Sequence, residues 1–354
     1  MPRPVASPVP GEPDRVQPSG TPAEPPRAPG LRLAVVVVNY DSWQDVERLV
    51  AELSGSAGVR GGWVEIVVVD NASPGPMPAG LRSPPEGVRL VPLAENRGFA
   101  AGVNAGWSAA RGCWLLVLNP DVVAGPALVA EALGRVDRFE RGGADPPGIV
   151  GFGLRNPDGS PQPSVGAFPT LFRTVWEQLI PRSRRKYQPD WRIRAGPVPW
   201  VTGACVLLNP RMLEDVGGMD EEFFLYYEEV ALCRSAARRG WRVEYDPGVS
   251  VVHLRPLQNR AISPKMRVIT RHSKLLYFRK HLPRGQFLGL VAIVRAESLV
   301  RGAWAAARGR RTDERSWRAI GRVARRLGAG DRLGGRAVLE LAEAATGDGE
   351  GEGG

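Results

Sequence analysis

Four apolar runs in the first third of the chain each end in polar residues. Residues 33–40 read LAVVVVNY, residues 63–71 read WVEIVVVDN, residues 88–93 read VRLVPL and residues 113–121 read CWLLVLNPD. Continuous apolar, β-branched runs of this length are typical of strands buried on both faces, as in a parallel sheet. The pattern therefore predicts four such strands.

Amphipathic segments at 41–53, 99–110 and 126–139 separate or follow these strands, and Pro126 suits a helix start. Alternating strands and helices predict an α/β fold whose mainly parallel sheet is flanked by helices. Beyond residue 150 the sequence predicts a hairpin turn at 156–160, strands at 201–210, 241–247 and 249–254, and helices at 210–218, 265–282 and 286–308. Residues 161–198, rich in Pro and Arg, receive no assignment.

Both ends of the chain lack such a pattern. Residues 1–30 are crowded with Pro, Gly, Ser and Ala, which predicts a disordered leader without the apolar core of a secretory signal. Residues 341–354 end in GDGEGEGG and are predicted to form a disordered tail. No apolar run approaches the roughly 20 residues that cross a bilayer, and the three scattered cysteines indicate buried, reduced thiols in a cytoplasmic protein.

Positive charge is concentrated late in the chain. Residues 255–336 hold 21 Lys and Arg against 4 acids, a net charge of +17, whereas the whole chain carries +10. The basic character therefore belongs to the C-terminal segment, predicted as helical over 283–340. One class of function that this charge suggests is nucleic-acid binding, but it leaves the polar strand ends unexplained.

Ligands of open parallel sheets bind at the carboxyl ends of the strands. Here those ends carry Asn39 and Tyr40, then Asp70 and Asn71, then Asn119-Pro120-Asp121. An acid at the second strand end can accept hydrogen bonds from a base or ribose, and one at the fourth can hold a divalent cation against a pyrophosphate. Each of these residues can also serve as a turn or helix cap.

Two further segments carry candidate chemistry. The glycines of NRGFAAGVNAG, residues 96–106, suit either close approach to a nucleotide or a helix packed tightly on the sheet, and the spacing is not that of a dinucleotide-binding fingerprint. Glu228 and Glu229 follow an aromatic run and open a predicted helix. Its positive N-terminal end suits acids, which serve either as a general base or as caps.

The order of NY, VVDNAS, NRGFAAGVNAG, LNPD, TGACVLL, GGMDEEFFLYYEEVALC and VVH resembles the family-2 glycosyltransferases, and most of all their rhamnosyltransferase-type members. The resemblance covers residues 31–282. It implies a GT-A fold with a nucleotide-binding half at 31–125 and an acceptor half at 126–282. It also implies inverting transfer from a nucleoside-diphosphate sugar to a hydroxyl of a glycan or lipid-linked acceptor, in cell-wall or surface-polysaccharide assembly.

The same resemblance implies roles for individual residues. Glu229, or alternatively Glu228, is the catalytic base, and Asp121 with His253 binds Mg2+ or Mn2+. The implied nucleotide-binding residues are Asn39, Tyr40, Asp70, Asn71, Arg97, Gly98, Asn104 and Asn119. The candidate acceptor-binding residues are Trp200, Thr202, Gly203 and Tyr227. Trp200 is also open to a reading as a core residue, and Tyr227 to one as a residue that packs the start of the helix.

Asn119 and Ala231 replace acids that are usual in the family, which leaves a catalytically silent sugar-nucleotide binder as an alternative. His253 is open to a second reading as a buried, hydrogen-bonded histidine.

The stretch at 287–311 alternates apolar residues with arginines. One reading is a peripheral helix on the inner face of the cell membrane, with Phe287, Leu288, Val291, Val294, Leu299 and Trp304 in the interface. The other is an amphipathic helix that packs on the catalytic domain with its arginines in water.

Overall fold

The computed structural model describes residues 30–110, 113–142, 145–176, 194–255 and 261–347. Residues 1–29 of the predicted leader and residues 348–354 of the predicted tail lie outside this range. The strands are β1 Leu33–Asn39, β2 Val64–Asp70, β3 Val88–Pro92, β4 Trp114–Leu118, β5 Val122–Val123, β6 Ile149–Arg155, β7 Pro161–Gln162, β8 Val165–Gly166, β9 Gly196–Pro197, β10 Trp200–Val201, β11 Cys205–Leu208 and β12 Val243–His253. The helices are α1 Trp43–Ser54, α2 Ala57–Arg60, α3 Ala79–Arg82, α4 Phe99–Ala109, α5 Leu128–Arg141, α6 Leu171–Trp176, α7 Pro210–Val216, α8 Glu228–Arg238, α9 Pro264–His281, α10 Arg284–Ala307, α11 Arg311–Ala329 and α12 Gly335–Thr346.

One sheet organises the described chain, in the order β3-β2-β1-β4-β11-β6-β12-β5. Strands β3, β2, β1 and β4 pair in parallel, whereas β11 runs antiparallel to both β4 and β6. The parallel half agrees with the predicted α/β class. It also explains the apolar runs, because β1 is buried on both faces along its whole length.

The two faces of β1 serve two cores. Leu33, Val35 and Val37 pack with α1, α2 and α5 on one side. Val36 and Val38 face α4 on the other side, where a Cβ at Gly106 or Gly102 would overlap their side chains. The small residues of the 96–106 segment therefore do pack a helix tightly against the sheet, which was one of the two readings of that segment.

Two boundaries differ from those predicted. The segments at 241–247 and 249–254 form the single strand β12, whose pairing with β6 shifts between Asp246 and Ser250. Pro247 and Gly248 suggest a turn, but the structure absorbs them as an irregularity within the strand. The predicted tail begins later than residue 341, because α12 continues to Thr346 and buries Ala342 and Ala345.

The C-terminal helices pack against helices that precede them in the chain. Residues of α9, α10, α11 and α12 share one apolar core with α4 and α8. His272 of α9 is fully buried, and its Nε2 lies 2.7 Å from the carbonyl oxygen of Leu333, which precedes α12. Burial lowers the pKa of His272 from 6.5 to about 4, and it is the main cause of the shift.

This histidine predicts acid sensitivity. Between pH 6.5 and about 4 the unfolded chain binds a proton at His272 that the folded chain does not, so stability should fall as the pH falls through this window. The full effect is roughly 3 kcal/mol, at 1.36 kcal/mol per pKa unit. His272→Gln should flatten the pH dependence of the unfolding free energy, measured by urea denaturation. The pH dependence of His281→Gln serves as a comparison, because burial and Arg238 also lower the pKa of this second histidine to about 4. Equal pH dependence in wild type and His272→Gln would contradict the prediction.

Candidate active site

The predicted polar strand ends meet at one edge of the sheet. Asn39 stands opposite Asp70 in the pairing of β1 with β2, and β4 runs parallel to β1 on its other side. A cleft of about 760 Å³ opens there. The predicted site residues that line it are Tyr40, Asn71, Gly98, Asn119, Asp121, Thr202, Gly203, Glu228, Glu229 and His253.

One wall of the cleft is the start of α8. Glu228 and Glu229 occupy its first turn, where the helix dipole favours negative charge. Glu228 is 5% exposed, and Glu229 is partly exposed. Tyr226 and Tyr227, just before them, have φ values of 68° and 70°. Such left-handed backbone is costly for bulky residues and persists only where the surroundings impose it.

Those surroundings are a set of contacts around Phe224. Its carbonyl oxygen accepts a hydrogen bond from the backbone of Phe99 at 2.9 Å. The backbone of Phe224 lies so close to Gly98, whose φ is +88°, that a Cβ there would overlap it. A Cβ added at Gly335 of α12 would likewise come within 3.2 Å of it. The Ser273 hydroxyl of α9 donates to the carbonyl of Leu225 at 2.8 Å. The loop before the two acids is therefore held from three helices.

Two predicted nucleotide-binding residues hold this loop and do not line the cleft. Asn104 donates to the carbonyl oxygen of Met219 and accepts from its N–H, both at 2.8 Å. It also donates to Glu221 at 2.9 Å, and Arg97 forms an ion pair with the same carboxylate at 2.5 Å. The structure thus gives Asn104 and Arg97 partners within the protein, and their contact with the nucleotide stays a prediction.

The strand-end amides are partly structural too. Asn39 is fully buried, donates to Asp70 Oδ1 at 3.1 Å and to Ser73 at 2.9 Å, and does not line the cleft. Asp70 Oδ1 also accepts from the Ser73 hydroxyl at 2.5 Å. Asn71 lines the cleft, yet its side chain also donates to Asn96 at 2.9 Å and to the carbonyl of Gly98 at 3.0 Å. These bonds fix the strand ends and the loop before α4 relative to each other.

The other wall brings Asp121 and His253 together. His253 Nε2 lies 3.3 Å from Asp121 Oδ1, and Gln162 Nε2 lies 3.0 Å from His253 Nδ1. The short pairing of β5 with the end of β12 causes this proximity, since Asp121 directly precedes β5. Arg255 Nε stands 3.8 Å from Asp121 Oδ2, and its guanidinium also pairs with Asp45.

The donor set here suits a hard divalent cation. Asp121 supplies a carboxylate and His253 an imidazole, and Mg2+ typically combines one or two carboxylates with substrate phosphates and water. Among the described residues no group of three or more His, Cys, Asp and Glu side chains forms a complete site. A cation bound by this pair would need further ligands from water or substrate.

The predicted acceptor residues divide into two kinds. Thr202 and Gly203 line the cleft, and the β-carbon of Glu229 stands 3.7 Å from where a Cβ of Gly203 would lie. Trp200 has no exposed surface, and its indole donates to the carbonyl of Ala167 at 3.0 Å, so the structure assigns it to the core instead of the cleft. Tyr227 packs its ring 5.7 Å from that of Tyr277.

Sequence reasoning missed Gln162 and did not assign a role to Arg255. Gln162 lies in the segment that received no assignment. Its position just after the hairpin turn at 156–160 was the one sequence feature that could have pointed to it. Arg255 lies two residues after His253, in the bend that follows the end of β12, and its proximity to Asp121 had no local sequence signal.

The sequence of this chain is similar to those of known glycosyl transferases. Residues 34–217 match the family described as Glycosyl transferase family 2. The N-acetylglucosaminyl-diphospho-decaprenol L-rhamnosyltransferase of Mycobacterium tuberculosis is 32% identical over 243 residues, which are 62% of this chain and 75% of that relative. A low-salt glycan biosynthesis hexosyltransferase of Haloferax volcanii is 26% identical over 278 residues, covering 76% of this chain and 84% of its own. A mannosyltransferase from Pyrobaculum calidifontis, solved with GDP-Man and Mn2+, is 17% identical, with coverages of 91% and 88% and a TM-score of 0.45.

The contact between Gly98 and Phe224 yields a prediction. Gly98→Ala should destabilise the protein by at least about 1–3 kcal/mol, since the backbone strain alone has that magnitude, and it should displace the loop before Glu228. Urea denaturation and an activity assay should both report the change. Gly134→Ala is the matched control: Gly134 lies within α5 with open space around its α-carbon, so alanine should be neutral or stabilising there. A Gly98→Ala variant as stable as wild type would disprove the tight contact.

Proposed function

The chain belongs to glycosyl transferase family 2, and on this premise we propose that it is an inverting, metal-dependent transferase. In this proposal it moves a sugar, with rhamnose the first candidate, from a nucleoside-diphosphate donor to a hydroxyl group of a glycan acceptor. One observation supports this reaction type. A single cleft holds two acids on one wall and the Asp121–His253 pair on the other.

An inverting transfer needs a base and a leaving group on opposite sides of the anomeric carbon. Glu229 takes the proton of the acceptor hydroxyl while its oxygen attacks the anomeric carbon, and the diphosphate departs from the opposite side. Glu229 is favoured over Glu228 because it is the more exposed of the two. Holding both substrates in line supplies much of the acceleration.

The departing diphosphate carries negative charge that the second wall must balance. Asp121 and His253 would hold Mg2+ or Mn2+, and the cation would supply charge neutralisation when bound. Arg255 brings a guanidinium to the same place, 3.8 Å from Asp121. This fixed guanidinium would itself balance part of the charge of the diphosphate, so less of that charge would have to be balanced by the metal.

The remaining assignments follow the cleft. Tyr40, Asn71 and Asn119 line the cleft and are the proposed contacts of the nucleotide, and Thr202 with Gly203 is proposed to lie on the acceptor side. Asp70 ends β2, does not line the cleft and stays a predicted nucleotide contact. The relative from Mycobacterium tuberculosis is named for a lipid-linked sugar, N-acetylglucosaminyl-diphospho-decaprenol. We therefore propose a lipid-linked acceptor in cell-wall or surface-polysaccharide assembly, reached from the cytoplasmic side.

A silent sugar-nucleotide binder is the second candidate. It is favoured by the incomplete set of metal residues, since Asn119 stands where the family pattern has an acid. Hydrolysis of nucleotide sugars, measured with and without Mn2+, separates the two candidates, because a binder would show affinity without turnover.

Replacing the base should abolish transfer and spare binding. Glu229→Gln keeps the size and hydrogen bonding of the side chain but cannot accept the proton, so transfer should fall about 100-fold or more while donor affinity stays unchanged. Transfer assays and calorimetry of donor binding measure the two effects, with Glu86→Gln on an exposed loop as the control. An inactive Glu228→Gln beside an active Glu229→Gln would reverse the assignment, and activity in both would refute the mechanism.

Replacing the metal residue should act on binding first. Asp121→Asn removes the carboxylate charge and should weaken the affinity for UDP or dTDP only in the presence of Mn2+. His253→Ala should have the smaller effect of the two. Calorimetry with and without the cation measures both, and Asp158→Asn at the exposed hairpin turn is the control. Unchanged metal-coupled affinity in Asp121→Asn would eliminate this residue as a ligand.

A further inference from the structure

Helix α10 has apolar residues on two opposite faces. One face is buried and includes Phe287, Val291 and Val294, three of the residues predicted above for a membrane interface. Those three belong to the protein core, which corrects that part of the prediction. The opposite face remains in water. We call it the docking face, and it consists of Leu288, Ala292, Ala296, Leu299, Val300, Ala303 and Trp304.

The docking face is unusually exposed for its chemistry. Leu299 is 74% exposed, Val300 is 70% exposed and Trp304 is 50% exposed, and all three lie within two turns of one helix. Helix α6 extends the patch at the other end of α10. Its Leu171 packs against Gly289 and leaves Phe172 80% exposed beside it. A continuous exposed apolar surface of this kind marks an interaction site.

The face cannot turn inward, because α10 is fixed in an antiparallel hairpin with α11. Small residues alternate across the hairpin: Gly321 faces Ser298, Gly328 faces Val291, and Gly302 faces Trp317. A Cβ added at Gly321 would come within 2.8 Å of the Ser298 hydroxyl oxygen. This close approach determines which side of α10 faces the protein and which faces solvent.

Positive charge surrounds the docking face. Arg295 and Arg301 lie on α10 itself. Arg308 and Arg310 follow its end, with guanidinium centres 3.9 Å and 5.4 Å from the ring centroid of Trp304. The one acid of α10, Glu297, is neutralised by Arg271 at 2.8 Å and by Arg301 at 3.1 Å.

Helix α11 continues the positive surface. Four exposed arginines recur at helical spacing along it and have no acidic partner within the described part of the chain: Arg311, Arg315, Arg322 and Arg325. An apolar stripe bordered by arginines complements a surface that is apolar inside and anionic at its boundary. Such a surface is an anionic lipid bilayer.

We propose that the docking face binds the surface of an anionic membrane, with α10 lying in the plane of the interface. Among the described helices none is both long and apolar enough to span a bilayer. The docking face would bury Leu299, Val300 and Trp304 among the lipid chains while the arginines contact lipid phosphates. Each arginine near the surface adds attraction that salt screens.

Helix α9 connects the docking face with the cleft. Met266 and Ile269 line the cleft, whereas Arg267 and Arg271 of the same helix bind Asp313 of α11 and Glu297 of α10. The ion pair between Arg271 and Glu297 places the second half of α10 beside the first turns of α9. This arrangement would present the cleft to a lipid-linked acceptor. That inference rests on the proposed function.

Flotation with vesicles tests the binding itself. The full chain should float with vesicles that contain phosphatidylglycerol at low salt, less at high salt, and little with pure phosphatidylcholine. The double variant Leu299→Ser, Trp304→Ser should lower the partition coefficient about tenfold, because both apolar anchors are lost. Trp63→Ser is the matched control, since Trp63 is 51% exposed and lies near β2, away from the hairpin. Arg295→Gln with Arg308→Gln should reduce the preference for phosphatidylglycerol and keep the core intact.

Several results would overturn the proposal. The first is that the wild type floats equally well with phosphatidylglycerol and with phosphatidylcholine vesicles. The second is that the double variant and the wild type have the same partition coefficient. The third is that the basic hairpin retains duplex DNA while the protein does not float with any vesicle. Calorimetry of UDP or dTDP with the same variants separates this proposal from the proposed function. Lost flotation with unchanged nucleotide affinity supports the docking face, whereas flotation of a wild type that binds no nucleotide would count against the transferase proposal alone. A chain shortened before α10 is unsuitable, because removal of the hairpin would uncover the core around α9.

Discussion

The close packing of the Phe224 backbone is the constraint on which the site depends. Gly98 touches it from the start of α4, and Gly335 touches it from the start of α12. With Phe224 fixed, Tyr226 and Tyr227 are forced into left-handed backbone, and Glu228 then begins α8 at the edge of the cleft. The position of both acids is therefore set by backbone contacts between distant segments, and a side chain larger than hydrogen at residue 98 is excluded.

The cleft divides its charge between two walls. Negative charge lies at the N-terminus of α8, where the helix dipole stabilises it. On the other wall the carboxylate of Asp121 is bordered by His253 and Arg255, so that wall can accept an anionic leaving group. The proposed single displacement would need a base on one side and groups that balance the charge of the leaving group on the other. Thr202 and Gly203, which connect β10 to β11, line the same cleft.

Much of the fold was predictable because its signals are local. Each of these signals spans only a few neighbouring residues. Examples are the apolar run of β1, the polar residue that ends it and the helical spacing after Glu228. The site was predictable only to the level of its strand ends and its acids. Asn104 bonds to Met219, 115 residues away, and Gln162 contacts His253, 91 residues away. No local pattern encodes such pairs.

Burial was the other property that the sequence left open. The sequence does not distinguish a Trp200 that stacks on a sugar from one that fills the core. In the structure Trp200 is fully buried. Helix α10 is also ambiguous in the sequence. Both of its faces are apolar, so the spacing of apolar residues does not predict which face packs against the protein. Only the partners decide, here the small residues Gly302, Gly321 and Gly328 around the hairpin.

The C-terminal helices are therefore part of the catalytic half in a mechanical sense. Ser273 of α9 bonds to the loop before the acids, Met266 lines the cleft, and Arg271 holds α10. Helix α9 therefore contacts both the hairpin and the wall of the cleft. For the proposed transferase, with a soluble donor and a lipid-linked acceptor, α9 would hold the cleft at a fixed height above the proposed membrane surface.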